Sequence, residues 1–346
     1  MIERINLKDL TFEELEQFIL QLSQKKYRAK QVFEWLQRGI TDFDEMTNLS
    51  KDLRDILQEK CFISCPEIAE KYVSKLDGTV KYLLALDDGH LIESVAMRYK
   101  HGITLCISTQ VGCRMGCRFC ASTIGGLVRH LTPAEILDQV LFVQRDLQER
   151  ISNIVLMGIG EPLDNYDHVL TFLKNVNHPA GLKIGYRHIS LSTSGLVPQM
   201  LTLAEENMPI TLSVSLHAPN DEIRNKIMPV NQLFPLDKVI EACKVYIERT
   251  KRRITFEYAM ISGVNDTVEN ARELSSKIKH LLCHVNLIPV NEIGERGYVK
   301  SETDKIHRFK IQIERAGIST TIRRELGGDI NASCGQLRRG YSRQSL

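Results

Sequence analysis

The spacing of hydrophobic residues predicts a group of helices at the start of the chain. Apolar residues recur there at the three- and four-residue spacing of one helix face: Leu15, Phe18, Ile19 and Leu22. Thr11 and Glu14 stand in the positions of a capping box, so the first helix is predicted to begin just after Thr11. Two further helices are predicted over 28–38 and 49–60. Residues 1–65 are therefore predicted to form a small helical domain.

Residues 66–100 change to patterns typical of β-strands. The runs TVKYLLAL and HLIESVAMRY are predicted strands. Asp77-Gly78 and Asp88-Gly89 lie beside these runs and mark tight turns, because glycine adopts the backbone conformations that such turns need. The segment is predicted to be a short antiparallel β linker.

From residue 101 onward, strand patterns alternate with helix patterns. Strands are predicted over 103–108, 153–157, 187–192, 210–215, 254–260, 284–290 and 318–323. Helices are predicted from Thr132 and over 165–175, 198–206, 235–249, 267–279 and 303–316. Such alternation indicates an α/β fold, in which helices cover a parallel sheet. About six repeats predict a partial (β/α)6 barrel over 101–346, with functional groups at the carboxyl ends of its strands.

The composition is that of a globular protein, with 43% hydrophobic and 25% charged residues in 346 positions. No run approaches the roughly 20 apolar residues of a membrane span, and the charged start does not resemble a signal peptide. We therefore expect a cytoplasmic protein without a membrane partner.

The net charge is only +2, but basic residues form three clusters, which favours a polyanionic partner. The clusters are Lys25, Lys26, Arg28 and Lys30; Arg249, Lys251, Arg252 and Arg253; and Arg338, Arg339 and Arg343.

Three of the nine cysteines stand close together, at positions 113, 117 and 120. An odd cysteine count without a secretory signal argues against a disulfide framework and favours metal binding or thiol chemistry. A buried helix face would also give this spacing, but Gly112 and Gly116 disfavour a helix, and the segment directly follows a predicted strand. The CxxxCxxC segment is therefore predicted to be a loop that wraps around a metal centre.

Two kinds of metal centre fit three thiolates. A zinc site needs a fourth ligand, which Cys61, Cys65, Cys106 or Cys334 would have to supply. An iron–sulfur cubane held by three thiolates instead leaves one iron open to a substrate or cofactor. The residues alone leave both possibilities open.

The CxxxCxxC loop, with Phe119 between its last two cysteines, resembles the radical S-adenosylmethionine (SAM) superfamily. Further segments make the resemblance more specific: MGIGEPLDN, LSTSG, SLHAPN and HVNLIPVN reach the ends of predicted strands, and GDINASCGQL lies near the end of the chain. Together with CxSTQxGCxxGCxFCAS, they resemble the RlmN/Cfr family of radical SAM RNA methyltransferases over nearly the whole chain. GEPLDN and LIPVN resemble the RlmN branch rather than the Cfr branch.

The resemblance implies methylation of adenosine carbon 2 in the peptidyl-transferase centre of 23S rRNA and next to the anticodon, on its 3′ side, in tRNAs. It implies one 4Fe-4S cluster on Cys113, Cys117 and Cys120, and two SAM molecules per turnover. The first SAM would methylate Cys334, and a 5′-deoxyadenosyl radical from the second would remove hydrogen from that methyl group. After the carbon radical adds to the base, Glu93 would accept the carbon-2 proton, and Cys106 would form a disulfide with Cys334.

The resemblance also implies a set of SAM contacts: Gly160, Glu161, Ser192, Ser215, Leu216, His217 and Asn291. A reducing system such as flavodoxin or ferredoxin would supply electrons, and the helical domain would help to bind RNA. We expect a monomer. Cys61, Cys65, Cys243 and Cys283 lie outside the matched segments and are predicted to be structural.

Three alternatives remain at this stage. A non-catalytic zinc RNA-binding protein would use the cysteines as a closed site. A radical SAM enzyme for small molecules would need the cluster but neither Cys334 nor the basic helical domain. Within the family, a Cfr-like enzyme would methylate carbon 8 of adenosine.

Overall fold

The computed structural model describes residues 4–291 and 293–337. The basic residues Arg338, Arg339 and Arg343 therefore lie outside the described residues. The three predicted N-terminal helices are confirmed as α1 (Phe12–Gln21), α2 (Tyr27–Leu36) and α3 (Lys51–Lys60). Thr11 caps α1 through the predicted capping box with Glu14. Two short parallel strands, β1 (Ile5–Asn6) and β2 (Cys61–Phe62), join the two ends of this segment.

The helical segment has a hydrophobic core of its own, formed between residues 7 and 61. It is tied to the rest of the chain by buried polar contacts. Lys8 and Asp138 form an ion pair in which both side chains are fully buried, and the Lys8 ammonium also donates to the Ser64 carbonyl at 2.7 Å. These contacts fix the helical segment against the helix that carries Asp138.

The remaining strands are β3 (Glu67–Val73), β4 (Val80–Ala85), β5 (Leu91–Tyr99), β6 (Gly102–Cys106), β7 (Gln110–Gly112), β8 (Leu127–His130), β9 (Ile151–Leu156), β10 (Ile189–Thr193), β11 (Thr211–Ser215), β12 (Ile254–Met260), β13 (Cys283–Pro289) and β14 (Thr320–Ile322). Most of them form one sheet in the order β14-β13-β12-β11-β10-β9-β6-β5-β4-β3. From β6 to β14 the strands are parallel, and from β3 to β6 they are antiparallel. Because the sheet ends at β14 and β3, it is an open barrel, as predicted.

Helices pack on the outside of the parallel strands: α4 (Pro133–Leu147), α5 (Tyr166–Asn177), α6 (Val197–Glu205), α7 (Asp221–Ile227), α8 (Leu236–Thr250), α9 (Val268–Ile278) and α10 (Thr303–Arg315). Thr132 caps α4 and Pro133 is its first residue, as the sequence predicts. The hydrophobic core lies between the sheet and this helical layer. In the part of the chain that the structure describes, none of the helices could span a membrane.

Two of the differences from the sequence-based expectation concern β5 and α7. The segment predicted as a β linker is antiparallel, as predicted, but it also pairs through β5 with β6 and so extends the main sheet. The second difference is α7, which was not predicted because its seven residues, DEIRNKI, are mostly charged or polar. Both differences matter for the site, because β5 lines it and α7 packs behind the cysteine loop.

Candidate active site

A solvent-open cavity, with about 940 Å³ of empty space including its mouth, lies at the carboxyl ends of the parallel strands. All three thiols of the CxxxCxxC segment line it, together with residues from successive strand ends: Gly160, Glu161, Ser192, Ser194, Ser215, His217 and Asn291. We call it the cluster-side cavity. The expectation that polar residues at separate strand ends meet at one edge of the sheet is confirmed.

The cysteine loop is held by a short hairpin, in which β7 pairs with β8 in antiparallel fashion. Gly112 ends β7 with a φ of +78°, and a Cβ atom there would lie 2.0 Å from the Gly126 carbonyl oxygen. The backbone N–H of Cys113 donates to that same carbonyl at 3.1 Å. Glycine is therefore required for the close approach that turns Cys113 into the cavity.

The donor set of this loop fits a cluster held by three thiolates. Cys113, Cys117 and Cys120 line one cavity, and space remains beyond their sulfur atoms. Within 4–291 and 293–337, no three His, Cys, Asp or Glu side chains converge as ligands of a single ion would. A cubane does not require such convergence, because each thiolate binds a different iron atom.

Gly160 and Glu161 form the turn after β9. Gly160 has a φ of +113°, and a Cβ atom there would lie 2.7 Å from the Gln110 Cβ atom. The Glu161 carboxylate accepts backbone hydrogen bonds from Ser194 at 2.7 Å and from Leu163 at 3.2 Å. Burial raises the pKa of Glu161. Its carboxylate thus joins two strand ends.

His217 is a neutral hydrogen-bond donor in the cluster-side cavity. Its Nδ1 accepts a hydrogen bond from the Ala259 backbone N–H at 2.8 Å, so the ring proton lies on Nε2. Burial lowers the pKa of His217 to about 3, which keeps the ring uncharged. Leu216, in contrast, does not line the cavity, and its N–H and carbonyl bond to Glu257 and Arg224.

A second solvent-open cavity, with about 800 Å³ of empty space including its mouth, also borders Cys334. We call it the thiol-pair cavity, because both Cys106 and Cys334 line it. Strand β5 contributes Val95, Met97 and Tyr99 to its wall. Burial raises the pKa of the Cys106 thiol to about 12, and Cys334 adds to this effect. Cys334 lines both cavities, so it lies between the cysteine loop and Cys106.

The loop that carries Cys334 is anchored to the cysteine loop. The Ala121 backbone N–H donates to the Gly335 carbonyl at 2.7 Å, and the Ser122 hydroxyl donates to the Leu337 carbonyl at 2.8 Å. From the end of β13, the Asn291 side chain donates to the Cys334 carbonyl at 2.9 Å. These hydrogen bonds fix the position of Cys334 relative to the cysteine loop.

Glu93 lies on β5, two residues before Val95, on the strand face that carries the thiol-pair cavity. Its carboxylate forms a buried ion pair with Lys81 at 3.2 Å. The Lys81 ammonium is also 3.4 Å from the Asn331 carbonyl in the Cys334 loop. Glu93 itself is not among the residues that line either cavity.

Sequence reasoning missed Arg323 and Glu257. Arg323 follows the end of β14 and donates from Nη1 to the Cys334 Sγ atom at 2.8 Å. Its Nη2 lies 3.8 Å from the Glu257 carboxylate. The rule that functional groups follow strand ends could have identified Arg323. Glu257 lies inside β12 and gave no such signal.

Models of two protein families match the chain. The ribosomal RNA large subunit methyltransferase N-terminal domain matches residues 5–63. The radical SAM superfamily matches residues 107–274, which include the cysteine loop and most of the cluster-side strand ends. The second match implies a 4Fe-4S cluster and SAM as cofactors.

Similar proteins extend these matches to the whole chain. The probable dual-specificity RNA methyltransferase RlmN of Alkaliphilus oremlandii is 57% identical over 340 residues, covering 98% of this chain and 99% of the relative. The protein of the same name from Clostridium tetani is 54% identical and covers 99% and 98%. A crystal structure of a radical SAM methyltransferase from Sphaerobacter thermophilus has a TM-score of 0.91 at 41% identity, covering 96% and 99%. The chain therefore belongs to the RlmN family of radical SAM RNA methyltransferases.

Proposed function

We propose that this protein methylates carbon 2 of adenosine, in 23S rRNA and next to the anticodon of tRNAs, through a methyl group carried on Cys334. One observation carries the proposal: Cys334 lines both the cluster-side cavity and the thiol-pair cavity, where Cys106 lies. Carbon 2 of adenine is electron-poor and does not attack a SAM methyl group directly. A sulfur placed between the cavity that would hold SAM and a second thiol would provide an indirect route.

The residues that would hold the cofactors line the cluster-side cavity. Cys113, Cys117 and Cys120 would bind the cluster, and His217 would offer its Nε2 proton to SAM. Bound together, the cluster and SAM would supply the radical that removes a hydrogen atom from the methyl group on Cys334. The Asn291 side chain donates a hydrogen bond to the backbone carbonyl of Cys334. We therefore assign Asn291 to positioning Cys334 as well as to the SAM site.

Cys106, which lines the thiol-pair cavity, and Glu93, on the β5 face that carries this cavity, would complete the reaction. After the methylene carbon bonds to carbon 2, the adduct radical would pass one electron back to the cluster, which supplied it, and would lose its carbon-2 proton. Glu93 is proposed to take up that proton, with Lys81 beside its carboxylate. The Cys106 thiolate then attacks the Cys334 sulfur. The carbon–sulfur bond breaks, its electron pair goes to carbon, and carbon takes a proton to become a methyl group. A reductant such as flavodoxin or ferredoxin would reset the disulfide and supply electrons to the cluster.

We further propose that residues 1–65 form an accessory RNA-binding domain, that 66–100 form a β segment joining it to the core, and that 101–346 are the catalytic core. The contacts of the helical domain support this division, because its hydrophobic core is separate from that of the sheet. Exposed Lys25, Lys26 and Lys30 on this domain suit RNA phosphates. The target base must leave its stack to reach Cys334. We expect a cytoplasmic monomer.

The test is anaerobic methylation of unmodified RNA. The reconstituted protein is incubated with SAM, a reductant and either 23S rRNA or tRNA, and methyladenosine isomers are identified in the digested RNA by mass spectrometry. 2-Methyladenosine that is lost in C334A supports the proposal. 8-Methyladenosine would instead show that the enzyme methylates carbon 8 of the base. Absence of both products, from protein that holds iron and sulfide and cleaves SAM, would overturn the RNA assignment.

A further inference from the structure

Arg224 on α7 is one of the largest side chains that the structure buries completely. Its guanidinium makes five hydrogen bonds. Nε donates to the Leu216 carbonyl, Nη1 donates to the Asn231 side chain and the Phe234 carbonyl, and Nη2 donates to the Ser194 and Ser215 carbonyls. All five acceptors are neutral oxygens. A guanidinium has five N–H donors, so none remains for a ligand.

The positive charge of Arg224 has no direct counter-ion among the described residues. The neighbouring carboxylate, Asp221, accepts instead from the Asn231 side chain at 2.9 Å and from the Leu236 backbone at 2.8 Å. Burial lowers the pKa of Arg224 to about 10, which leaves it charged at neutral pH. Buried charges are normally paired, because removal from water is costly. An anion that the folded chain alone does not contain is the expected partner.

The cysteine loop packs against the elements around Arg224. The Arg118 backbone N–H donates to the carbonyl of Ile227, the last residue of α7, at 2.9 Å. A Cβ atom at Gly116 would lie 3.4 Å from Pro229, just beyond α7. Ser194 and Ser215, whose carbonyls Arg224 holds, line the cluster-side cavity together with Cys117. Arg224 therefore lies directly behind the loop that would bind the cluster.

We propose that Arg224 is the buried counter-ion of the iron–sulfur cluster and makes the cluster easier to reduce. A 4Fe-4S core with three thiolates carries net negative charge, and each added electron increases it. Charges in a buried environment interact strongly because little water screens them. A fixed cation behind the loop therefore stabilises the reduced cluster more than the oxidised one. Arg224 acts as a positioning and electrostatic residue, without touching SAM.

The test is the midpoint potential of the cluster, measured without RNA by reductive titration followed by electron paramagnetic resonance. R224M should shift the potential to more negative values, whereas R224K, which keeps the charge, should stay close to the wild type. K226M is the matched control on the same helix. The Lys226 side chain is 63% exposed and pairs with Glu222, so water screens its charge and the potential should not move.

A charge-conserving exchange keeps the proposal testable if R224M does not retain its cluster. The double variant D221N/N231D moves one carboxylate from position 221 to position 231. In the wild type, the Asn231 side chain accepts a hydrogen bond from Arg224 Nη1 at 2.7 Å. The new contact would neutralise Arg224, so the potential should again become more negative. Iron and sulfide content is measured for every variant. An unchanged potential in a fully loaded R224M or exchange variant would overturn the proposal, and would leave the assignment of the RNA methylation intact.

Discussion

Arg323 donates a hydrogen bond from Nη1 to the Sγ atom of Cys334 over 2.8 Å. Its Nη2 donates to the Met157 sulfur at 3.4 Å and lies 3.8 Å from the Glu257 carboxylate. A planar guanidinium held at three points has a fixed direction. Arg323 therefore holds the Cys334 sulfur between the cluster-side and thiol-pair cavities, both of which it also lines.

Replacement of Arg323 by methionine is expected to slow methyl transfer to Cys334. A hydrogen bond from a charged donor contributes about 1.5–3 kcal/mol, which corresponds to a roughly tenfold to hundredfold lower rate. This rate is measured as single-turnover transfer of a labelled methyl group from SAM to the protein. R315M is the control, because Arg315 is exposed at the end of α10 and lines neither cavity. Equal rates in R323M and wild type would contradict the positioning role.

The step that releases the methylated base is expected to accelerate with pH. Burial raises the pKa of Cys106 to about 12, so most of this thiol is protonated between pH 7 and 9. The thiolate is the attacking form, and its fraction rises about tenfold per pH unit while pH stays below the pKa. Quenched-flow measurement of the protein–RNA adduct should show faster decay at higher pH. A rate that is independent of pH would contradict attack by the Cys106 thiolate.

Replacement of Cys106 by serine should trap that adduct. A hydroxyl is a poor nucleophile towards sulfur, so the RNA would stay bonded to Cys334. Denaturing gels with labelled RNA measure the trapped fraction. C243S is the matched control, since Cys243 is also buried, but on α8 within the hydrophobic core. Full release of methylated RNA from C106S would contradict the proposed role.

The sequence predicts those parts of the site that depend on local pattern. The cysteine loop follows from its own spacing, and the convergence of Ser192, Ser215 and His217 follows from parallel strands that end at one edge. These predictions need only strand order and direction. The relation between β5 and the site was less predictable, because it depends on the pairing of β5 with β6.

Residues whose roles depend on contacts distant in sequence could not be predicted. Glu257 lies 3.8 Å from Arg323, but it stands inside β12, where neither a strand end nor a motif marks it. Lys8 and Asp138 would be assigned to solvent by their charge, yet both are fully buried at the junction of the helical domain and α4. Leu216 was expected at the SAM site from its motif, but both of its backbone polar groups bond to other residues of the chain.

Removing one partner of the buried Lys8–Asp138 pair should destabilise the protein strongly, whereas replacing both partners by apolar residues should destabilise it little. K8M leaves the Asp138 carboxylate buried without its cation and is expected to lower the free energy of unfolding by about 3–5 kcal/mol. The double variant K8M/D138L removes both charges and should recover most of that loss. Denaturant unfolding measures both, with K30M as the exposed control, because the Lys30 side chain is 64% exposed. A double variant less stable than K8M would contradict this account.

Tyr99 is expected to contribute to RNA binding through its ring. It lines the thiol-pair cavity while remaining 38% exposed, and it stacks on His101 with ring centroids 5.3 Å apart. An aromatic ring that stacks on a base contributes about 1–3 kcal/mol, so Y99A should weaken binding of an anticodon stem-loop roughly fivefold to a hundredfold. Y99F should bind like the wild type, because stacking needs the ring rather than the hydroxyl group.

Fluorescence anisotropy at one fixed salt concentration measures these affinities, since phosphate contacts vary with salt. Y72A is the control, because Tyr72 is similarly exposed, at 42%, but lies on the edge strand β3. Equal loss in Y99A and Y72A, or equal loss in Y99F and Y99A, would show that the Tyr99 ring does not stack on the RNA.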